Sequence, residues 1–477
     1  MGDIRYVCLS DMHFGADNSI LTRLSSTDGS VDPLHPSDVL LHLVNCLRNL
    51  VNGNSGDRLP TLVLNGDILD LAFSTENVAA MAFRHFLELT MPEDPAARLF
   101  DPEIVFIPGN HDHHLWETCR ERQYADSLSG ADWSSPLPRP PHIMPMRNPN
   151  GVPSYFMDAI VRSLPWLEKV SVKTVYPNLA IGSPDKLIVV SHGHFIENAY
   201  LMVSEFADLL YPETPPRTTM EAWEAQNFAW IDFVWSVLGR SGSIGVDEEK
   251  VYNTENSPKA IGALLGGAAR NLVLKKGGAT GKTLAKGVGE LVGTVVTDYF
   301  ERGQSDTLLS DDGAGVRRFM RVPVQNQIKS EFGSALPANV TLVFGHTHKP
   351  FEAVMKLKDF FTPDFAAYNS GGWVVDSPEV KPLIGGAVLL IDEDANLASL
   401  RMYNERHAPS EYCVSVQVAE SPAAAVNNSL FEHLSKTVDP KKWPWAAFSK
   451  AAASAVKQHN KRLSDFLESS SSEATLQ

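Results

Sequence analysis

The chain has 477 residues, of which 43% are hydrophobic and 21% are charged, values typical of globular proteins that exclude a largely disordered chain. Its formal net charge of −16 argues against a wide footprint on a nucleic-acid backbone, although a local basic groove stays compatible with it. The four cysteines are scattered and form no CxxC pair, which argues against a disulfide framework and against a thiolate zinc site.

Short apolar runs of strand length recur along the chain, and each is followed by a polar cluster. Between the early runs lie helical patterns, such as residues 38–50, where the apolar positions fall on one face. Alternating strands and helices predict an α/β core with functional groups at the carboxyl ends of the strands. The predicted strands are residues 6–9, 61–64, 103–107, 187–190, 341–344, 365–368, 387–391 and 397–403.

Three stretches interrupt or extend this pattern. Residues 123–160 are rich in proline and indicate a long ordered loop or small insertion. Residues 197–336 form a larger, mostly helical insertion or cap, with helices predicted at 197–210 and 219–238. Residues 406–477 form a C-terminal extension, with a helix predicted at 443–467 and a flexible serine-rich tail. We therefore expect the core domain to comprise residues 1–196 and 337–405.

Residue types that bind metals follow five of the predicted strands. They occur in the segments Asp11-Met12-His13, Gly66-Asp67, Gly109-Asn110-His111-Asp112, Ser191-His192-Gly193-His194 and Gly345-His346-Thr347-His348. A single such cluster would carry little weight, because a capped turn or a satisfied polar pair gives the same letters. Five clusters at the same position relative to five strands are hard to obtain by chance.

In their order and spacing these segments resemble the ordered motifs DxH, GDxxD, GNHD, a histidine beside glycine, and GHxH of the calcineurin-like metallophosphoesterase superfamily. The resemblance covers residues 1–196 and 337–405. It implies a two-sheet β-sandwich flanked by helices, here with a large, mostly helical insertion.

The resemblance also implies a role for each site residue. Asp11, His13 and His348 would bind one metal ion, and Asn110, His192 and His346 would bind a second ion. Asp67 would bridge the two ions. His111 would lie beside the substrate as general acid or transition-state contact, oriented by Asp112. His192 is favoured over His194 as the ligand, and Asp70 is expected to orient the turn or a ligand without touching metal.

The chemistry explains these residue types independently of the family. Two divalent ions carry four positive charges, and Asp11, Asp67 and a bridging hydroxide offset three of them, which leaves a positive pocket suited to a phosphate oxyanion. Such a hydroxide is poised for in-line attack on phosphorus. The imidazole, carboxylate and amide ligands suit transition metals: manganese or iron is favoured, with zinc, cobalt or nickel as alternatives.

Three further segments have mainly structural interpretations. Residues 277–283 look like a phosphate-binding loop, but residue 276 is Lys where the first glycine is required, and no apolar strand precedes it. Residues 261–296 combine GxxxG spacing with five lysines and arginines. Close helix packing explains the small residues, and peripheral contact with anionic lipid headgroups is the sharper alternative. Residues 369–373 are typical of a tight turn that supports the site.

The predicted function is a metal-dependent phosphoesterase that hydrolyses a phosphomonoester, phosphodiester or pyrophosphate. The segments around Asp11, Asp67 and Asn110 are similar to two branches of the superfamily, the UDP-diacylglucosamine hydrolases and the DNA-repair nucleases. The first branch usually carries arginine at the position of His111, and the acidic composition disfavours a nucleic-acid substrate without excluding it. A phosphorylated small molecule or a lipid-linked substrate is expected, and a non-catalytic scaffold on the same fold is the alternative of another class.

Because no basic region followed by an apolar segment opens the sequence, we expect a cytoplasmic protein, with peripheral membrane contact left open.

Overall fold

A computed structural model describes residues 2–56, 58–147, 150–182, 185–197, 217–231, 313–419 and 428–474. Thirteen strands lie within these ranges: β1 Ile4–Leu9, β2 Thr61–Asn65, β3 Glu103–Ile107, β4 Val152–Pro153, β5 Ser171–Thr174, β6 Asn178–Gly182, β7 Lys186–Ser191, β8 Asn339–Phe344, β9 Phe351–Lys356, β10 Asp364–Asn369, β11 Gly385–Asp392, β12 Leu397–Asn404 and β13 Ser415–Gln417. Every strand predicted from the sequence has its counterpart among them.

The strands form two mixed sheets. The first has the order β13-β12-β11-β1-β2-β3-β5-β4, and the second has the order β6-β7-β8-β10-β9. In the first sheet β1, β2, β3 and β5 run parallel, and β11 pairs with β1 antiparallel. In the second sheet β7, β8 and β10 run parallel. Strand β13 lies beyond residue 405 and adds an edge to the first sheet through its pairing with β12.

Nine α-helices lie within the described ranges: α1 Asp38–Val51, α2 Glu76–Thr90, α3 His113–Leu128, α4 Tyr155–Arg162, α5 Met220–Ile231, α6 Ala314–Phe319, α7 Gln325–Phe332, α8 Ser429–Thr437 and α9 Trp445–Ala474. A π-helical turn, Met320–Val324, joins α6 to α7. Helix α1 begins where predicted because the Ser37 hydroxyl accepts a hydrogen bond from the backbone N–H of Leu40 at 3.1 Å. None of the helices in the described ranges is both long enough and apolar enough to cross a membrane.

The buried side chains form layers that follow the alternation of the strands. Val7 and Leu9 point into the apolar cluster shared with helices α1 and α2, whereas Cys8 points into a cluster between the two sheets. The inner cluster joins residues of both sheets, including Val63 and Val190. A third cluster covers the outer face of the second sheet with α5, α6 and α7. The predicted α/β class, with two sheets flanked by helices, is confirmed.

The predicted insertions and extension are described in part. Of the predicted helix 219–238, the described part contains α5, and the helix predicted at 197–210 lies outside the described residues except for Glu197, whose backbone is extended. In the proline-rich stretch 123–160, α3 continues to Leu128, and after a described part without helix or strand the stretch ends with β4 and the first turns of α4. Helix α9 packs against α1 and includes the serine run 469–472.

Candidate metal centre

The predicted ligand residues lie in loops at the carboxyl ends of five strands from both sheets. Because β1, β2 and β3 run parallel, and β7 and β8 run parallel, their carboxyl ends share one edge of each sheet. The two edges are linked directly. Asn65 Nδ2 donates to the carbonyl oxygen of Ser191 at 3.0 Å, and the backbone N–H of His346 donates to Asp11 Oδ1 at 2.8 Å. The loops of both sheets therefore converge on one place.

The first cluster of candidate ligands contains Asp11, His13 and His348, whose ligand atoms all lie within 4.8 Å of one another. His13 Nε2 is 3.3 Å from His348 Nε2, and His348 Nε2 is 3.6 Å from Asp11 Oδ1. Asp11 and His13 are buried, and His348 is half-buried. These are the three residues that the sequence predicts for one metal ion.

The second cluster contains Asp67, His192 and His346, again with ligand atoms within 4.8 Å of one another. His192 Nε2 lies 2.9 Å from Asn110 Oδ1 and 3.2 Å from Asp67 Oδ2. The structure thus brings together the residues that the sequence predicts for the second ion. Burial lowers the pKa of His192, but the nearby carboxylate of Asp67 outweighs burial and raises it to about 9.

Asp67 lies between the two clusters. The same oxygen that is 3.2 Å from His192 Nε2 is 3.9 Å from His13 Nε2, and the other oxygen accepts the backbone N–H of His111 at 2.8 Å. Burial acts to raise the pKa of this carboxyl, but His192 and His111 outweigh burial and hold the pKa of Asp67 well below its usual range. Its position is that of a ligand shared by both clusters.

The sequence predicts that Asp112 orients the ring of His111, but the carboxylate that lies beside this ring is Asp70. His111 Nδ1 is 3.3 Å from Asp70 Oδ1. Asp112 instead accepts hydrogen bonds from four backbone N–H groups, those of Gly109, Asp67, Ile68 and Leu69, at 2.6 to 3.3 Å. The prediction that Asp112 orients His111 is therefore wrong, because the turn before α3 directs this side chain back into the loop that follows β2. Asp112 fixes the loop that carries Asp67.

Asp70 fulfils both parts of the role expected of it. Oδ1 accepts the backbone N–H groups of Ala72 and Phe73 at 3.1 and 2.8 Å, which holds the turn, and Oδ2 is 2.8 Å from His13 Nδ1, which orients a candidate ligand. Burial lowers the pKa of His111, but the charges of Asp70 and Asp67 outweigh burial and raise it to about 9. These carboxylates therefore favour the protonated form of the imidazole.

Unfavourable backbone conformations are concentrated at this centre. In the described ranges seven residues other than glycine have a positive φ, and five of them are candidate ligands, with φ between +45° and +67°. Such conformations cost about 1 to 3 kcal/mol each and persist only where the surroundings fix them. The five are Asp11, His13, Asp67, His346 and His348.

Two glycines of the predicted motifs are required by the close approach of the ligands. A Cβ atom on Gly109 would lie 2.3 Å from Asp67 Oδ1, and a Cβ atom on Gly345 would lie 2.1 Å from Asp11 Oδ2. Any other residue would displace one of these carboxylates. The glycines therefore allow the backbone to pack directly against the candidate ligands.

The outward-facing nitrogens of three candidate ligands are held by oxygen atoms. His13 Nδ1 is held by Asp70, His192 Nδ1 lies 3.2 Å from the carbonyl oxygen of Asn65, and His348 Nδ1 lies 2.9 Å from Asp376 Oδ2. Such contacts fix the tautomer and the ring orientation of a metal-binding histidine. Neither Asn65 nor Asp376 is among the site residues predicted from the sequence. Asn65 lies directly before Gly66 in a recognised motif, whereas no sequence signal marks Asp376.

The predicted turn at residues 369–373 supports the loop that carries His346 and His348. Asn369 Oδ1 accepts the backbone N–H of Gly371 at 2.7 Å, and its Nδ2 donates to the carbonyl oxygen of Gly345 at 3.0 Å. A second contact from the same Nδ2 reaches the Thr347 hydroxyl at 2.8 Å. The side chain of Asn369 thus joins the two loops.

Two other histidines near the centre are buried outside both clusters. His194 is 2% exposed, and burial together with the charge of His192 holds its pKa well below its usual range. His113 begins α3, and its Nε2 is 2.9 Å from Glu224 Oε1 of α5, with both side chains fully buried. This hydrogen bond ties the described helix of the insertion to the helix that follows His111.

The residues present fit divalent transition metals. Asp11, Asp67, Asp70 and Asp112 are each 0 to 1% exposed. Among the described residues, the ion-pair partners of the first three are histidines alone, without lysine or arginine. Buried carboxylates are costly unless a positive charge compensates them, and cations between the two clusters would do so. Imidazole, carboxylate and amide oxygen together suit manganese, iron, zinc, cobalt or nickel.

The basic segment 261–296 lies entirely outside the described residues. It includes residues 277–283, which look like a phosphate-binding loop. The expected membrane contact through 261–296 therefore stays a prediction.

No family model matches the chain, and no curated protein matches it. Solved structures that match include a cold-active protein-tyrosine phosphatase of a psychrophilic Shewanella species, at 12% identity and a TM-score of 0.24, covering 84% of this chain and 78% of that chain. Another is the phosphopantetheinyl hydrolase PptH from Mycobacterium tuberculosis, also at 12% identity and a TM-score of 0.24, covering 78% of this chain and 91% of that chain. Both are named as phosphatase or hydrolase, but a TM-score this low carries no argument about function, which rests on the geometry of the site.

Proposed function

We propose that the chain is a dinuclear metal-dependent phosphohydrolase. The observation that carries the proposal is the position of Asp67, whose Oδ2 atom faces His192 Nε2 at 3.2 Å and His13 Nε2 at 3.9 Å. A buried carboxylate shared by two clusters of imidazole and carboxylate is the arrangement that two neighbouring cations require.

Asp11, His13 and His348 would hold one ion, and Asn110, His192 and His346 would hold the second, with Asp67 shared. Once bound, two such ions polarise a phosphoryl oxygen and lower the pKa of water for hydrolysis. The outer contacts from Asp70 and Asp376 keep the ligand rings in place before any ion arrives.

His111 supplies the proton that a departing alkoxide needs. Its ring is buried, and the carboxylate of Asp70, 3.3 Å from His111 Nδ1, raises the pKa of the ring against the effect of burial and so favours the protonated form. After donation, the same carboxylate favours reprotonation of the ring. His111 is therefore suited to the role of general acid towards the leaving group.

The substrate class remains a phosphomonoester, a phosphodiester or a pyrophosphate, either as a small molecule or linked to a lipid. A nuclease of the DNA-repair type is the alternative within the family that the sequence resembles. A non-catalytic scaffold would be expected to have lost ligands, whereas every predicted ligand position here is filled and assembled.

The test combines metal analysis with hydrolysis of p-nitrophenyl phosphate and its bis-ester. We expect two ions per chain in the wild type, with turnover of at least one ester. Asp67→Ala should lose activity and metal together, whereas Asp94→Ala, which changes an exposed aspartate that caps a surface turn, should retain both. Two bound ions without turnover of either ester would favour the scaffold, and full activity of Asp67→Ala would refute the shared ligand.

A further inference from the structure

One candidate ligand histidine has an oxygen partner that the family motifs do not supply. Glu197 Oε2 lies 3.1 Å from His346 Nε2. Glu197 follows a short 3-10 turn, His194–Ile196, and its backbone N–H donates to the carbonyl oxygen of His194 at 3.2 Å. It is therefore anchored to the segment that carries His192.

The contact completes a pattern. His13, His192 and His348 each turn Nδ1 towards an oxygen atom and Nε2 towards the centre. His346 is the fourth histidine. Its Nε2 atom lies 3.1 Å from Glu197 Oε2, in a contact that is not aligned as a hydrogen bond, and the ring contributes a ligand atom to the second cluster.

We infer that Glu197 is a positioning residue for the second metal ion, acting through His346. The inference rests on the proposed dinuclear centre. Glu197 does not belong to the group of ligand atoms within 4.8 Å formed by Asp67, His192 and His346, so it touches the ring from outside that cluster. A carboxylate 3.1 Å from a ring nitrogen favours a proton on that nitrogen and so favours metal binding through the other one. Losing the outer partner of a metal-binding histidine typically costs 10- to 100-fold in metal affinity.

The structure provides a matched control in the first cluster. Asp376 contacts His348 at 2.9 Å as Glu197 contacts His346 at 3.1 Å, and the two carboxylate side chains are similarly accessible, at 41% and 35% exposed. Each replacement by the amide removes one charge near the centre while preserving size. A substitution that acts only by removing charge would weaken the binding of both ions. A substitution that acts through one histidine ring would weaken the binding of one ion.

The experiment is a Co²⁺ titration of the metal-free full-length protein, followed by visible absorption and by competition with a chelator. The wild type should bind two ions. Glu197→Gln should weaken one binding step about 10- to 100-fold, and Asp376→Asn should weaken the other step. Glu197→Asp, which keeps the charge on a shorter side chain, should recover part of the loss. Circular dichroism confirms that each variant is folded.

Failure of the role of Glu197 and failure of the proposed dinuclear centre give different results in this titration. If the wild type binds two ions and Glu197→Gln binds both as tightly, or loses the same step as Asp376→Asn, the role of Glu197 is refuted and the dinuclear centre stands. If the wild type binds fewer than two ions under any loading, both are overturned. A Glu197→Asp variant that binds this ion as weakly as Glu197→Gln counts against the inference.

Discussion

Asp70 Oδ2 lies 2.8 Å from His13 Nδ1, and this contact makes the second aspartate of the sequence LNGDILD a partner of a candidate metal ligand. The other oxygen of the same carboxylate is 3.3 Å from His111 Nδ1. One buried carboxylate therefore orients a ligand histidine and also holds the charge of the proposed acid. A substitution at this position is expected to change metal binding and proton donation together.

Asp70→Asn should shift the alkaline limb of the pH–rate profile to lower pH. The charge of Asp70 is the largest contribution that raises the pKa of His111 against burial. Without it the pKa falls, so the protonated acid is lost at a lower pH as the pH rises. Asp94→Ala is the control, because it removes an exposed carboxylate that caps a surface turn. An unchanged alkaline limb in Asp70→Asn would contradict the role of Asp70.

His111→Gln should slow substrates with poor leaving groups far more than p-nitrophenyl phosphate. An alkyl leaving group needs a proton as it departs, and general acid catalysis is worth about 10²- to 10⁴-fold in rate, whereas p-nitrophenolate leaves without that help. Metal content should remain that of the wild type. The measurement is kcat for a series of esters of graded leaving-group pKa. Equal losses across the series would assign His111 to binding instead.

The sequence predicted which candidate ligands lie close together better than it predicted the side chains that contact them. Asp11, Asp67 and His192 follow strands directly, so the strand ends alone determine where their backbones lie. The partner of His111 depends on the direction of a turn with positive φ at Asp67, which the letters do not encode. Asp376 is brought to His348 by the loop between β10 and β11. That contact forms only when the two sheets are assembled.

The packing of the insertion could not be predicted from the sequence either. The aromatic pattern of residues 219–238 predicts a helix but not the surface on which it packs. The contact between Glu224 and His113 brings together residues 111 positions apart in the sequence. Neither residue stands in a motif that would mark it, so only the packed structure connects α5 with α3.

Glu224→Ala should lower the free energy of unfolding by about 1 to 3 kcal/mol, because it leaves the buried His113 Nε2 without its hydrogen-bond partner. Replacing both residues with leucine, as His113→Leu together with Glu224→Leu, should recover most of that loss, since the cost comes from the buried polar group left without a partner. Urea unfolding followed by circular dichroism measures both variants. If the double variant is destabilised by the sum of the losses measured for His113→Leu alone and Glu224→Leu alone, the energetic coupling between these side chains is absent.

His459 in α9 should make the fold less stable as the pH falls from about 6.5 to about 4. The ring is 4% exposed, and burial together with the charge of Arg462 lowers its pKa to about 4. Between that value and the ordinary pKa near 6.5, the unfolded chain binds a proton that the folded chain does not, so acid favours unfolding. The expected loss from this group is about 2 kcal/mol between pH 7.5 and pH 5. His459→Gln cannot take up this proton, so the stability difference between wild type and variant should move in favour of the variant by that amount at pH 5. Urea midpoints measured at both pH values give the difference, and a constant difference would show that His459 titrates alike in the folded and unfolded chains.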